Sequence, residues 1–144
     1  MPNLEDAIQL ALDAHRGQKD RAGQPYVLHP LRVMMRMDDE EARMAAILHD
    51  VVEDSTYTLS DLRHAGYPGR VLDAVDALSK RAGEPYEAYI ERVLLNPLAR
   101  RVKLADLEDN MDLRRVSELT ATDLERYQRY RRAWARVTGE GAPL

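Results

Sequence analysis

The 144-residue sequence contains no cysteine. This absence excludes disulfide bonds, thiolate zinc sites and a cysteine nucleophile, and it agrees with a reducing compartment. Long apolar runs are also absent, since no stretch approaches the roughly 20 residues of a membrane-spanning helix. The first ten residues, MPNLEDAIQL, place Glu5 and Asp6 where a secretory signal carries positive charge and then an apolar run. We therefore expect a cytoplasmic protein with no membrane partner.

The overall composition is that of an ordinary globular protein. Hydrophobic residues make up 44% and charged residues 32% of the chain, which suits one domain, residues 1–144, with one core. The formal net charge of −4 gives no general reason to expect nucleic acid or an anionic membrane as a partner.

Apolar residues recur at helical spacing along nearly the whole chain, and no alternating strand pattern persists. The predicted fold class is all-α, a compact bundle of about eight helices. Capping signals are Asn3, Thr58 with Asp61, and Thr122 with Glu125, and Gly66 and Gly139 end two of the helices. The predicted helices cover residues 4–18, 30–37, 38 or 39 to 54, a short segment after 58, 68–79, 85–95, 97–113 and 122–138.

The segment ILHDVVEDS, residues 47–55, combines core residues with four ionisable ones, His49, Asp50, Glu53 and Asp54. On one continuous helix these four side chains crowd one side of one end. Burying them together is costly and would raise the carboxylate pKa values unless something compensates their charge. A divalent cation would do so, because imidazole and carboxylate ligands suit manganese, iron or zinc.

Further ligands must then come from other segments. His29, in YVLHP, lies between a loop and a proline, where a side chain can be aimed rigidly. KLADLEDN, residues 103–110, places Asp106 and Asn110 four residues apart on one helical face. Taken singly, His29 could cap a helix, and Asp106 and Asn110 could be solvated surface residues. Their joint occurrence favours a metal site.

Four motifs occur in order between residues 15 and 113: AHRGQ, GQPYVLHP, ILHDVVEDS and VKLADLEDN. Together they resemble the HD-domain metal-dependent phosphohydrolases, and more narrowly the hydrolase domain of Rel/Spo-type alarmone enzymes and their stand-alone small relatives. The resemblance implies a compact all-helical domain that holds one metal ion, usually manganese. The ligands that it implies are His29, His49, Asp50 and Asp106.

The same resemblance implies an activity, the release of pyrophosphate from guanosine 3′,5′-bis(diphosphate), with a small-molecule nucleotide as the partner. It assigns Glu53 and Asp54 to the catalytic water and the scissile phosphate, and Asn110 to the nucleotide pocket. Basic residues near the motifs are candidate phosphate contacts: Arg21, Lys80, Arg81 and Lys103.

Two positions depart from the Rel/Spo pattern. Asp20 stands where the first residue of a basic pair usually stacks on the guanine, and a carboxylate cannot provide cation–π attraction. Asp109-Asn110 replaces the usual His-Asn. The change at Asp20 favours one alternative, an HD phosphohydrolase for another nucleotide, such as NADPH or an adenosine alarmone. A second alternative is a non-catalytic nucleotide-binding module, against which the presence of both Glu53 and Asp54 argues.

The last predicted helix, RYQRYRRAWARV, raises a third alternative, nucleic-acid binding through its arginines. Apolar residues at spacings of three and four favour a core or subunit contact instead, with the arginines as its solvated flank: Leu124, Tyr127, Tyr130, Trp134 and Val137. We therefore expect no nucleic-acid partner, and a homo-oligomer is compatible with the stripe. Of the remaining histidines, His15 is expected near the pocket and His64 on an inert surface helix.

Overall fold

The computed structural model describes residues 1–139, so the predicted domain end at residue 144 lies outside the described residues. This part of the chain contains nine α-helices and no β-strand, which confirms the all-α prediction. A 3₁₀ turn, Leu113–Arg115, lies between the last two helices. The helices are α1 Leu4–Ala14, α2 Leu28–Met35, α3 Glu40–Leu48, α4 Val51–Asp54, α5 Leu59–Ala65, α6 Gly69–Leu78, α7 Tyr86–Leu94, α8 Pro97–Asn110 and α9 Ala121–Thr138.

Most helix ends follow the predicted local signals. Asn3 caps α1 and Thr58 caps α5, each as part of a capping box with an aspartate three residues later. Gly66 ends α5 with φ of 92°, in the left-handed region that favours glycine. Among the described helices, none is long and apolar enough to cross a membrane.

The predicted capping box of the last helix was wrong. Thr120 caps α9, its hydroxyl accepting from the backbone N–H of Asp123, whose carboxylate accepts in return. The predicted box at Thr122 has the same Thr-x-x-acid spacing, two residues further on. Asp123 is 8% exposed and also pairs with Arg21. This long-range contact favours a helix start capped by Thr120 over one capped by Thr122.

Helix α3 lies at the centre of the bundle, where it packs against α1, α2, α6 and α8. Its alanines at 42, 45 and 46 are fully buried, and their small side chains let the neighbouring helices approach closely. Ile47 and Leu48, near the end of the same helix, are also fully buried and belong to the hydrophobic core. Truncating either of these two side chains to alanine would cost about 2–5 kcal/mol of stability.

The prediction of one continuous helix as far as residue 54 was wrong. Helix α3 ends at Leu48, and a new turn, α4, begins at Val51. The ring Nδ1 of His49 donates to the carbonyl of Ala46 at 2.6 Å, and an uninterrupted helix would pair that carbonyl with the N–H of Asp50. The chain therefore turns at His49 and Asp50, and this break brings both side chains to one point in the bundle.

Candidate metal centre and adjoining cleft

The structure brings the four predicted ligands together from α2, the α3–α4 break and α8. His29 Nε2 lies 2.8 Å from Asp106 Oδ1 and 3.8 Å from Asp50 Oδ2. His49 Nε2 lies 3.1 Å from Asp50 Oδ2 and 3.5 Å from Asp106 Oδ1. Ligands with bonds of about 2.0–2.2 Å to one ion lie roughly 3–4 Å apart. The arrangement could therefore hold a divalent metal, and ligand atoms of His29, His49 and Asp50 all lie within 4.8 Å of one another.

The hydrogen bonds of His49 fit a metal ligand. The ring is 1% exposed, and because Nδ1 donates to a backbone carbonyl, Nε2 carries a lone pair in the neutral ring. This Nε2 has no hydrogen-bond partner among the described residues. In this neutral form Nε2 would be a buried acceptor without a donor beside two carboxylates, which costs free energy, and either a proton or a divalent cation at that point would remove the cost.

The electrostatics of the cluster point the same way. Burial raises the pKa of Asp106, but Lys103 and the two histidines outweigh it and hold that pKa well below its usual range. Burial lowers the pKa of His29, but hydrogen bonds to Asp106 and Asp109 raise it to about 9. The cluster therefore attracts positive charge strongly. A divalent cation would supply that charge in place of the imidazole protons.

Two residues that the sequence analysis had not assigned to the site support its ligands. Tyr26 donates its hydroxyl to Asp50 Oδ2 at 2.5 Å, and its ring lies 5.8 Å from that of His29. Asp109 accepts from His29 Nδ1 at 2.7 Å. Spacing offered a weak signal for each, since Tyr26 precedes one ligand and Asp109 follows another by three residues.

Lys103 lies inside the protein and does not line the cleft. Its side chain is 9% exposed, and its Nζ donates to Asp106 Oδ2 at 2.9 Å. The ammonium also lies 5.0 Å from the ring of Tyr89. Lys103 thus neutralises a candidate metal ligand, whereas the sequence analysis expected it at a phosphate. Asn110 donates to Asp106 Oδ1 at 3.1 Å and also lines the cleft.

Glu53 and Asp54 occupy the short helix α4, directly after the candidate ligand Asp50. Burial raises the pKa of each carboxyl group, and the charge of Asp50 raises it further. The backbone N–H of Lys80 donates to Glu53 Oε1. Both acids therefore lie on the segment that carries two ligands, with pKa values shifted towards those of proton-transferring groups.

A cleft of about 460 Å³ adjoins the cluster. Its lining includes the candidate ligand His29, together with Tyr26 and Asn110, which hydrogen-bond to the candidate ligands Asp50 and Asp106. Its cationic side chains are Lys19, Arg21, Arg32, Arg115 and Arg126, and its acidic ones are Asp20, Asp109, Asp112 and Asp123. Apolar and aromatic residues complete the wall: Ala22, Leu113, Val116, Leu119, Tyr127 and Tyr130. A cavity of this size and mixed chemistry suits a small ligand with anionic and aromatic parts.

Besides Lys103, three phosphate contacts were predicted, and only one of them lines the cleft. Arg21 lines the cleft, where it pairs with Asp123 of α9. Lys80 and Arg81 lie in the loop between α6 and α7, outside the cleft lining, and Arg81 is 3.8 Å from Asp76. Only Arg21 of these three is positioned to meet a ligand in the cleft.

Asp20 lines the same cleft but has a clear local role. Its Oδ1 accepts the backbone N–H groups of Ala22 and Gln24, both at 2.9 Å. The carboxylate therefore holds the loop that leads to Tyr26 and α2. From its place in the sequence, Asp20 was predicted only to face the base.

His15 and His64 lie in the environments that the sequence predicted. His15 is 2% exposed, its ring is 5.1 Å from that of Tyr26, and its Nδ1 is 2.9 Å from Gln18 Oε1. His64 is exposed on α5. His15 is therefore linked to the cluster through Tyr26, and His64 is remote from it.

The stripe on α9 is only partly internal. Val137 is buried, whereas Leu124 is 51% exposed. Trp134 is half-buried and donates to Glu108 of α8 at 2.9 Å. Several of the arginines contact neighbouring side chains, for example Arg136, which pairs with Glu91 at 2.8 Å. The helix packs against α7 and α8 through part of the predicted stripe.

Comparison with known proteins finds no matching family model. A GTP pyrophosphokinase of Streptomyces antibioticus is 38% identical over 120 residues, which covers 75% of this chain and 14% of that protein. A guanosine-3′,5′-bis(diphosphate) 3′-pyrophosphohydrolase of Haemophilus influenzae is 37% identical over 117 residues, covering 71% and 17%. The chain thus spans about one-seventh to one-sixth of the length of these relatives.

A solved structure, described as a metazoan ortholog of SpoT that hydrolyses ppGpp, matches with a TM-score of 0.75 and 25% identity. The match covers 93% of this chain and 84% of that one, so the two share essentially the whole helical bundle. In sequence and in fold, the chain is a homologue of the Rel/Spo-type proteins and resembles their HD-domain hydrolases.

Proposed function

We propose that the chain is a metal-dependent hydrolase that releases pyrophosphate from the 3′ position of guanosine 3′,5′-bis(diphosphate). One observation carries the proposal: a buried cluster of two imidazoles and two carboxylates lies at the edge of a cleft whose wall combines basic, acidic and aromatic side chains. The proposed ligands are His29, His49, Asp50 and Asp106.

The names of the relatives do not by themselves decide between synthesis and hydrolysis. One is a pyrophosphokinase and another a pyrophosphohydrolase, and the chain spans only a small part of each. The imidazole–carboxylate cluster supports hydrolysis, because that chemistry needs an activated water and neutralised phosphoryl charge. A bound divalent ion supplies both, and we propose manganese because nitrogen and oxygen ligands suit it.

The remaining steps belong to side chains of the protein. Glu53 and Asp54 are proposed to orient the attacking water and to accept or return its proton, since desolvation and the charge of Asp50 raise the pKa of both carboxyl groups. Arg21 and Asn110 are proposed to bind the substrate from the cleft wall. Water then cleaves the ester at the 3′ oxygen, which gives GDP and pyrophosphate.

The test uses purified protein that has been stripped of metal and reloaded with Mn²⁺. Separation of the products by anion-exchange chromatography should show GDP and pyrophosphate in equal amounts, and chelation should abolish the reaction. A His49→Ala, Asp50→Ala double variant should be inactive. Intact substrate despite stoichiometric Mn²⁺ and bound nucleotide would instead indicate a non-catalytic nucleotide-binding module.

A second substrate class is favoured by one observation. The carboxylate of Asp20 lies in the cleft, where the Rel/Spo pattern has a basic residue, and loop hydrogen bonds hold it there. The same panel should therefore include NADPH and adenosine tetraphosphates. Turnover of one of these, with the guanosine alarmones intact, would preserve the hydrolase and replace its substrate.

A further inference from the structure

We propose that Asp109 is a positioning residue that fixes the ring of His29 as a metal ligand, and that Arg32 holds Asp109 in the required orientation. This inference rests on the proposed metal site. It concerns a position where the chain departs from the Rel/Spo pattern, since aspartate replaces the usual histidine before Asn110.

The two ring nitrogens of His29 face different partners. Nδ1 lies 2.7 Å from Asp109 Oδ2, and Nε2 faces the cluster, 2.8 Å from Asp106 Oδ1. When Nδ1 donates its proton to Asp109, the lone pair of a neutral ring lies on Nε2, as a cation at the cluster requires. A carboxylate behind the ring also makes the imidazole a more basic ligand. For His49, the backbone carbonyl of Ala46 accepts the Nδ1 proton in the same way.

Asp109 is itself held by a bidentate ion pair. Arg32 Nε lies 2.7 Å from Asp109 Oδ1, and Arg32 Nη2 lies 3.0 Å from Oδ2. Arg32 follows His29 by three residues on α2, so both side chains leave the same face of that helix and meet one carboxylate. The side chain of Asp109 is 10% exposed, so water can offer its carboxylate few competing hydrogen bonds. Arg115 adds a hydrogen bond to the carbonyl of Asp109 at 2.9 Å.

A purely structural tie between α2 and α8 would use the same atoms, and the chain offers a matched control for it. Arg36, which directly follows α2, pairs with Glu108 of α8 one turn away from Arg32. This neighbouring pair joins the same two helices but does not contact a proposed ligand. Glu108 also accepts from Trp134 of α9, and a glutamine keeps an oxygen for that bond, so Glu108→Gln reports the effect of removing the ion pair between the two helices.

The experiment measures Mn²⁺ affinity by calorimetry on metal-free full-length protein. Asp109→Asn should weaken binding by about 10- to 100-fold, the usual effect of losing a carboxylate behind a ligating histidine. Glu108→Gln should bind as tightly as the wild type. Arg32→Gln keeps the carboxylate of Asp109 but removes its bidentate ion pair. This variant should weaken Mn²⁺ binding by a smaller factor than Asp109→Asn. This variant also keeps the test available if Asp109→Asn fails to fold.

A spectroscopic measurement separates positioning from stability. Ring ¹⁵N NMR of wild type loaded with diamagnetic Zn²⁺, which accepts the same nitrogen and oxygen ligands, should show His29 protonated at Nδ1, with slow exchange of that proton, and Asp109→Asn should speed the exchange. Wild-type affinity in both Asp109→Asn and Arg32→Gln would overturn the inference. So would an equal loss in Glu108→Gln. A wild-type protein that binds no divalent ion would overturn the metal site itself, which distinguishes the two failures.

Discussion

Lys103 provides a stringent test of how charge is balanced in the cluster. We consider Lys103→Met, which keeps an unbranched apolar chain against Tyr89 but removes the ammonium. The ion pair with Asp106 is 2.9 Å long, and the two side chains are 9% and 7% exposed. At an effective dielectric constant of about 20, this separation corresponds to about 6 kcal/mol of Coulomb attraction.

The measured loss of stability should be smaller than that attraction. Removing the ammonium also removes its own cost of burial, so breaking one side of a buried pair typically costs about 3–5 kcal/mol. We therefore expect Lys103→Met to lower the unfolding free energy of metal-free protein by about 3–5 kcal/mol. A bound cation would compensate Asp106 in place of the lysine. The loss should therefore shrink in saturating Mn²⁺.

Urea denaturation of wild type, Lys103→Met, Asp106→Asn and the double variant, each with EDTA and with Mn²⁺, measures these differences. The double variant should be less destabilised than the sum of the two single variants. Each single variant leaves one buried charge without its partner, whereas the double variant removes both charges. Additive losses, or a loss below 1 kcal/mol for Lys103→Met without metal, would refute the reasoning. The metal would also stabilise wild type by mass action, so each variant is compared within one condition.

Three further predictions concern the ligands, the proton-transferring acids and the surface. Replacing His49 and Asp50 together with alanine should abolish stoichiometric Mn²⁺ binding in calorimetry, and retained binding would contradict the ligand assignment. Glu53→Gln should keep the metal but lower kcat by about 10²–10⁴-fold, whereas wild-type turnover would make this residue part of the solvated helix end. Hydrogen bonds and charge from Arg92 lower the pKa of Glu84 to about 2, so this group should stabilise the fold above pH 4.5 and lose that contribution as pH falls towards 2. Acid unfolding of Glu84→Gln should lack this component, and an unchanged acid profile would show that the pair contributes nothing.

Local signals predicted the helices well because their causes are local. Asn3, Thr58 and Gly66 act within one turn of chain, and the structure shows each at the expected helix end. The chemistry of the candidate site could also be predicted, because two His-containing motifs and an acidic helix supply the nitrogen and oxygen ligands that suit a divalent metal. The break after Leu48 could not be predicted, because it depends on the ring of His49 taking a backbone carbonyl.

The amino-acid sequence by itself determined the all-helical fold, most of the caps and the set of residues able to bind a metal. Only the tertiary structure decided which charges meet. Lys103 and Asp106 lie three residues apart on α8, so helical spacing permits their pairing, but only the packing of α8 against its neighbours buries both side chains and keeps Lys103 out of the cleft. Asp109 meets His29 across 80 residues of chain, and no periodicity within α8 indicates that pairing. The physical reason is that periodicity specifies the face of a helix, whereas the partner of a buried charge depends on how separate helices pack.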